Sequence, residues 1–442
     1  MTGGLSRALA AALFSQIRDG TLIVSEDGEQ RSWGDGPPTA YVTLHSPSAW
    51  RRLLRSSTGL ADSYAEGLWD SPDLVALIRL AARNATLTDR WRERLLPLAW
   101  PLRAGRALAA PSTRGRRRRD IAAHYDLGYE LFSRMLDPSM TYSCALFKHP
   151  RMTLEEAQRA KLELICERLE LGPGDRVLEI GTGWGALALY AASTRGCHVT
   201  TTTISADQHA HARRLVAEAG LEDLVTVLAQ DYRDLRGRYD KLVSIEMIEA
   251  VGWRHTGSFL GICSRLLERH GAMLLQAITI DDRAYEVEKA SRSFIKERIF
   301  PGGSLPSLRS LGDDLARHTD MQLANLQDIT SSYVTTLRQW RERFARHEAE
   351  LAALGYDERF RRLWDLYLAY CEAGFAERRI CDVQMLLAKP GCRLRALHRG
   401  GDPRIATART RTVLTPASTP SSASTPSTGS GTESRGGVAA HE

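Results

Sequence analysis

The sharpest chemical signal in this 442-residue chain is LEIGTGWG, residues 178–185. A short apolar run, RVLEIG, delivers Glu179 and then turns through Gly181, Gly183 and Gly185 into a helical pattern. Glycine has no Cβ, so its backbone can approach a ligand that a side chain would hold away. A dinucleotide fold would space the glycines GxGxxG and end the next strand on an acidic residue for the ribose. Here the acid precedes the first glycine, the spacing is GTGWG, and the next strand ends in TTTIS without a carboxylate. The loop is a cofactor turn of another kind, or a tight strand–helix turn with no ligand. Other candidates are ambiguous by themselves. A lone cysteine such as Cys144 is by default a small core residue. Glu249, in EMIEAVG, suits a helix-surface carboxylate, and Glu246 suits that role better. Tyr333 suits core packing, and Trp184, Trp253 and Trp340 read as packing or pocket wall.

Alternating elements must position the loop. RVLEIG (176–181), HVTTTTIS (198–205), VTVLAQD (225–231), YDKLVSIE (239–246) and AMLLQAITI (272–280) read as strands. Helical patterns fall between them, including 206–220 and 258–271. Such alternation predicts an α/β fold, a doubly wound and mostly parallel sheet that binds ligands at the carboxyl ends of its strands. Residues 1–110 read as a smaller N-terminal α/β module, with a strand at TAYVTLHS (39–46) followed by short amphipathic helices. A basic linker, 111–120, carries RGRRRR, and the main domain runs over 121–395. The Ser-, Thr-, Pro- and Gly-rich segment 404–442 has little to bury and is expected to be disordered.

Composition narrows the classes. Seven cysteines, an odd number with no CxxC spacing, argue against a disulfide framework or a zinc site, and no metal is expected. The most apolar segment, 95–110, is broken by Pro97, Pro101, Arg103 and Arg106, so a membrane span is not expected. A cytoplasmic protein touching the inner face of the membrane peripherally fits these features. The net charge of +6 would suit nucleic acid or anionic lipid. No nucleic-acid-binding module and no base-methylase motif accompanies it, so a nucleic-acid partner is not expected. The run Arg116 to Arg119 is read as a contact for anionic lipid.

Two longer patterns carry a resemblance. The glycine loop with its preceding acid resembles motif I of class I methyltransferases, whose loop faces the amino-acid part of S-adenosylmethionine (SAM). HYDLGYELFSRMLDPSMTYSCALF (124–147), QDYRDLRGRYDKLVSIEMIEAVG (230–252), FIKERIFPGGSLPS (294–307), YVTTLRQWRERF (333–344) and YLAYCEAGFAERRICDVQMLLAKP (367–390) follow in order. Together they resemble the cyclopropane-fatty-acyl-phospholipid synthase family, and GLADSYAEGLWDSPDL (59–74) resembles the N-terminal module of its full-length bacterial members. The resemblance implies a Rossmann-like SAM-dependent methyltransferase acting on the cis double bond of an unsaturated phospholipid. It places Tyr125, Tyr142, Ser143, Glu179, Gly181, Gly183, Thr203, Gln208, Asp231 and Tyr232 around SAM. It also implies a bicarbonate ion as catalytic base, held by Cys144, Glu249, the backbone of Ile278, and Tyr333, with Glu249 and Tyr333 orienting it.

The implied chemistry is attack of the alkene on the sulfonium methyl, then removal of a proton from the carbocation in a site closed to water. Ring-forming members commonly carry His in the strand that here reads LLQAITI, and this chain has Gln276. Glutamine donates a hydrogen bond but does not take up a proton near neutral pH. The LQAITI form resembles an actinobacterial branch that makes methylene-branched chains, precursors of 10-methyl-branched lipids. That outcome is expected here, with a separate reductase as partner; a cyclopropane ring is the alternative. The resemblance also suggests a homodimer.

Overall fold

The computed structural model describes residues 3–54, 56–84, 127–291 and 293–395. Tyr125, the basic linker and the 404–442 segment lie outside these residues.

The main sheet has seven strands in the order β10-β11-β9-β8-β5-β6-β7. They are β5 (Arg176–Ile180), β6 (His198–Thr202), β7 (Val225–Leu228), β8 (Tyr239–Ile245), β9 (Leu267–Ile280), β10 (Gln322–Asp328) and β11 (Ile380–Ala388). β5 to β9 pair in parallel, while β11 runs antiparallel to both β9 and β10. The parallel strands are the five anticipated ones. β5 is nearly wholly buried because helices cover both faces, the usual reason that a parallel strand reads as a continuous apolar run. β9 begins at Leu267, inside the stretch expected to finish a helix; that helix stops at Leu266, and Leu267 is drawn into pairing with Tyr239 of β8. β10 carries almost no buried residue, so no hydrophobic pattern announced it.

The chain runs outward from β5 through β6 to β7 and then returns across the sheet to β8 beside β5, so the order reverses between β5 and β8 at the centre of the sheet. Loops after these two strands therefore diverge and leave a crevice, the usual ligand position in such sheets. Helix boundaries around it have local causes. Thr153 and Glu156 form a capping box that starts the Leu154–Arg168 helix. The Ser205 hydroxyl accepts the Gln208 N–H and starts the Ala206–Glu218 helix.

The N-terminal part forms a four-stranded sheet, β2-β1-β3-β4, from β1 (Gly20–Glu26), β2 (Glu29–Asp35), β3 (Thr39–Leu44) and β4 (Trp69–Asp70). Only β3 was anticipated. The β1–β2 hairpin turns through Asp27 and Gly28, both at positive φ, and its EDGE sequence is a hairpin signal that was passed over. The helices that follow pack on the Glu358–Ala376 helix. Arg362 lies over the Tyr64 ring at 4.2 Å and donates to the Tyr64 and Trp69 carbonyls, while Glu377 receives Arg79 and Arg83 at 2.7 and 2.9 Å. Among the described residues, no helix is long and apolar enough to cross a membrane.

Candidate active site

The crevice at the carboxyl ends of β5, β6 and β8 opens into a pocket of about 1370 Å³, its mouth included. Every described residue placed around SAM lines it: Tyr142, Ser143, Glu179, Gly181, Gly183, Thr203, Gln208, Asp231 and Tyr232. Gly181, Gly183 and Gly185 take φ of 103°, 51° and 101°. A Cβ on Gly183 would meet no protein atom within 4 Å, so the space beside it belongs to the cavity. Glu179 is buried, and its Oε2 has no hydrogen-bond partner among the described residues. Burial pushes its carboxyl up to about 8, against a weaker opposing hydrogen bond from Thr201. An orphaned buried acid beside a bare glycine cradle fits the ammonium and backbone-facing part of SAM. Thr203 donates to Gln208 Oε1 at 2.9 Å, and Asp231 is gripped by Arg233 through Nε at 2.8 Å.

One pocket residue escaped the sequence reading. Lys161 is wholly buried and donates from Nζ to Ser143 Oγ at 2.6 Å. Burial lowers its pKa, while Glu246, Cys144, Asp137 and Asp382 oppose that shift. A signal existed: Lys161 sits on the stripe Leu154, Ala157, Ile165 of its helix, where an apolar residue was due.

Behind the pocket lies a group of buried polar side chains in an otherwise apolar surround. Glu246, at the end of β8, is at its centre rather than on a helix surface as expected. Its Oε1 accepts the Cys144 N–H at 2.8 Å and the Gln276 amide at 2.7 Å, and its Oε2 accepts the Tyr333 hydroxyl at 2.6 Å. Tyr333 thus serves Glu246, not Glu249. Glu249 instead accepts the Ile278 N–H at 2.5 Å on Oε1, leaving Oε2 without a partner among the described residues. Burial and then the charge of Glu246 push Glu249 up to about 8. Cys144 is wholly buried; burial, Asp382 and Glu246 hold its thiol well above the usual range, so the backbone N–H is its working group.

Sequence reasoning also missed Asp382 and Gln384. Register sets Asp382 opposite Ile278 and Gln384 opposite Gln276. Gln276 donates to Asp382 at 3.0 Å and accepts from Gln384 at 3.0 Å. Burial, then Glu246 and Glu249, raise Asp382 well above the ordinary carboxyl range. Polar residues two apart in the apolar strand CDVQMLLA share one face, which was the available signal. Of the tryptophans, Trp184 walls the pocket and Trp340 is core, but Trp253 is 41% exposed beneath Arg254 and Lys289.

This arrangement does not fit a bicarbonate ion. The Cys144 N–H, the Tyr333 hydroxyl and both Gln276 amide protons are already spent on Glu246 and Asp382. An anion there would also face three carboxyl groups, a costly crowding in a low-dielectric site.

Residues 112–385 match the family model described as mycolic acid cyclopropane synthetase. The chain is 37% identical to the tuberculostearic acid methyltransferase UfaA1 of Mycobacterium tuberculosis, over 84% of this chain and 88% of that one. It is also 37% identical to the cyclopropane-fatty-acyl-phospholipid synthase of Escherichia coli K12, over 79% of this chain and 87% of the relative. The crystal structure of the mycolic acid cyclopropane synthase CmaA1 complexed with SAH and CTAB superimposes with a TM-score of 0.58 at 31% identity, covering 62% of this chain and 98% of that one. The chain belongs to the mycolic acid cyclopropane synthetase family and is a SAM-dependent methyltransferase.

Proposed function

We propose that the enzyme methylates the cis double bond of an unsaturated phospholipid acyl chain and releases a methylene-branched chain. The observation that carries this reading is a cluster of carboxyls that reaches the cofactor pocket at Glu246, beside an aromatic wall. An alkene needs no base to become a nucleophile. It needs an electrophile, a site without water, and an acceptor for the proton that leaves afterwards.

SAM, when bound, supplies the electrophilic methyl group. Glu179 would hold its ammonium, and Gly181 and Gly183 would let the backbone close on its amino-acid part. Thr203, Gln208, Asp231 and Tyr232 would fix the ribose and adenine end. Tyr142, Tyr333, Trp340, Phe375 and Tyr367 form a connected aromatic wall, with Tyr333 stacked on Phe375 at 4.3 Å and Tyr142 tilted on Trp340 at 5.2 Å. Such faces exclude water and favour a passing positive charge. The carboxyls behind them, with Cys144, Gln276 and Ile278, order the region where the proton departs. Because its donors are taken, bicarbonate has no part in this reading.

Similarity to the tuberculostearic acid methyltransferase favours the branched chain over the ring named for the E. coli relative. Both outcomes share the first step. A saturated methyl branch would need a hydride and a proton, supplied by a separate reductase. Contact with the bilayer is supported by Leu5, Leu9 and Leu13, 50%, 47% and 42% exposed and four residues apart on the Gly3–Phe14 helix. Leu9 and Leu13 share a groove with Leu54 and Arg51, which suits an apolar, anionic lipid surface.

The test is incubation of the enzyme with SAM and vesicles containing oleoyl phospholipid, followed by fragmentation of the recovered acyl chains. An exocyclic methylene group is expected. Rings alone would replace the product assignment, and SAH release without any lipid product would remove the substrate assignment.

A further inference from the structure

Two ionisable side chains of opposite type, Glu179 and Lys161, are buried in the wall of the cofactor pocket. Neither forms an ion pair among the described residues, although buried charges are as a rule paired because leaving water alone is costly. Glu179 suits the ammonium of SAM, and that leaves a buried cation without a counterpart. The other cationic side chain lining the pocket, Arg233, already holds Asp231, at 2.8 Å from Nε.

The Leu154–Arg168 helix brings Lys161 to this place through its period. Gln158 and Lys161 stand three residues apart on its buried face, and both reach Ser143. Gln158 Nε2 donates to the Ser143 carbonyl at 2.9 Å, and Lys161 Nζ donates to Ser143 Oγ at 2.6 Å. The hydroxyl oxygen accepts from the ammonium, so its own proton must point elsewhere. That proton has no acceptor among the described residues, and Ser143 lines the pocket. Strand pairing sets the acid close by. Cys144, next in the chain, donates its N–H to Glu246 just beyond β8, and Glu179 on β5 lies opposite Val243 of that same strand.

We propose that Lys161 is the counter-charge for the carboxylate of bound SAM, acting through the Ser143 hydroxyl that it orients. The inference rests on the cofactor reading above and adds the second half of the amino-acid site. Lys161 is a positioning residue: its ammonium turns the Ser143 O–H into the pocket and polarises it. Burial disfavours its charged form, while Glu246, Cys144, Asp137 and Asp382 favour it. A hydroxyl alone would donate to a carboxylate or to water alike. A cation behind it selects the anion.

The test is isothermal titration of the full-length enzyme with SAH and with decarboxylated SAH, which keeps the ammonium. The parent should prefer SAH by about 10- to 100-fold, the scale of a hydrogen bond to a charged group. Lys161→Met is close to lysine in length and suits the buried face of the helix. It should weaken SAH while leaving the analogue nearly unchanged, so the preference collapses; a thermal melt checks that the variant is folded. Ser143→Ala should cut the preference by about 3- to 10-fold, the scale of a single neutral hydrogen bond, and it stands as the test should Lys161→Met not fold. Glu179→Gln should weaken both ligands alike and keep the preference, because both carry the ammonium. A parental preference in folded Lys161→Met or in Ser143→Ala overturns the proposal, as does a parent that binds the two ligands equally. A preference abolished by Glu179→Gln also overturns it, since the carboxylate would then answer to the other residue. If the parent binds no SAH, the cofactor reading fails and this inference goes with it. That outcome is distinct because it precedes any substitution.

Discussion

Cofactor binding should eject a proton from Glu179. Burial holds this carboxyl at about 8, so at pH 6.5 the free enzyme carries it about 97% protonated. An ammonium arriving roughly 4 Å away contributes on the order of 4 kcal/mol at an effective dielectric of 20, which brings the group back to about 5. At pH 6.5 the bound form is then about 97% ionised, and some 0.9 proton is released per ligand. The sign follows: affinity should strengthen as pH rises from about 5 to 8, by up to tenfold per unit, and then level off. Isothermal titration with SAH avoids turnover and presents the same ammonium. Repeating it at pH 6.5 in buffers of different ionisation enthalpy gives the proton count as a slope. Glu179→Gln should bring that slope near zero, whereas Glu249→Gln, outside the pocket wall, should preserve it. A zero slope in the parent, or an equal slope in Glu179→Gln, would refute the placement of the ammonium.

Gly183→Val should raise the SAH Kd at least 100-fold, because the added side chain fills cavity rather than protein; calorimetry beside a thermal melt separates this from unfolding. Glu249, protonated when folded up to about 8 and near 4.5 otherwise, gives stability that is full below pH 4.5 and lost as pH rises through 8. Glu249→Gln should flatten that decline, on the order of 5 kcal/mol at most, in denaturant titrations at pH 5 and pH 8.5; an unchanged difference between the two pH values would contradict the burial of this acid. Leu9→Asp should weaken sedimentation with anionic vesicles while leaving SAH affinity as it was, and equal sedimentation would dismiss the Gly3–Phe14 helix as a membrane contact.

Much of the cofactor half was legible in the sequence because its signals are local. A strand, a glycine turn and a helix lie within twenty residues, and the period of apolar residues in β5 to β9 is enough to infer the parallel sheet. Tyr142, Thr203 and Gln208 follow once the order of the motifs is recognised. The catalytic half resisted because its partners are far apart in the chain. Glu246 and Glu249 stand three residues apart in one motif, and nothing local says which carboxylate turns inward. That choice is made by the left-handed turn at Glu246, which points its side chain at Cys144, Gln276 and Tyr333, respectively 102, 30 and 87 residues away. Asp382 and Gln384 joined them only through the antiparallel register of β11 on β9, a pairing across about a hundred residues. Local sequence determined where a cofactor could lie. Tertiary structure decided which acid turns into the pocket wall, since burial and hydrogen-bond partners exist only after distant strands have paired.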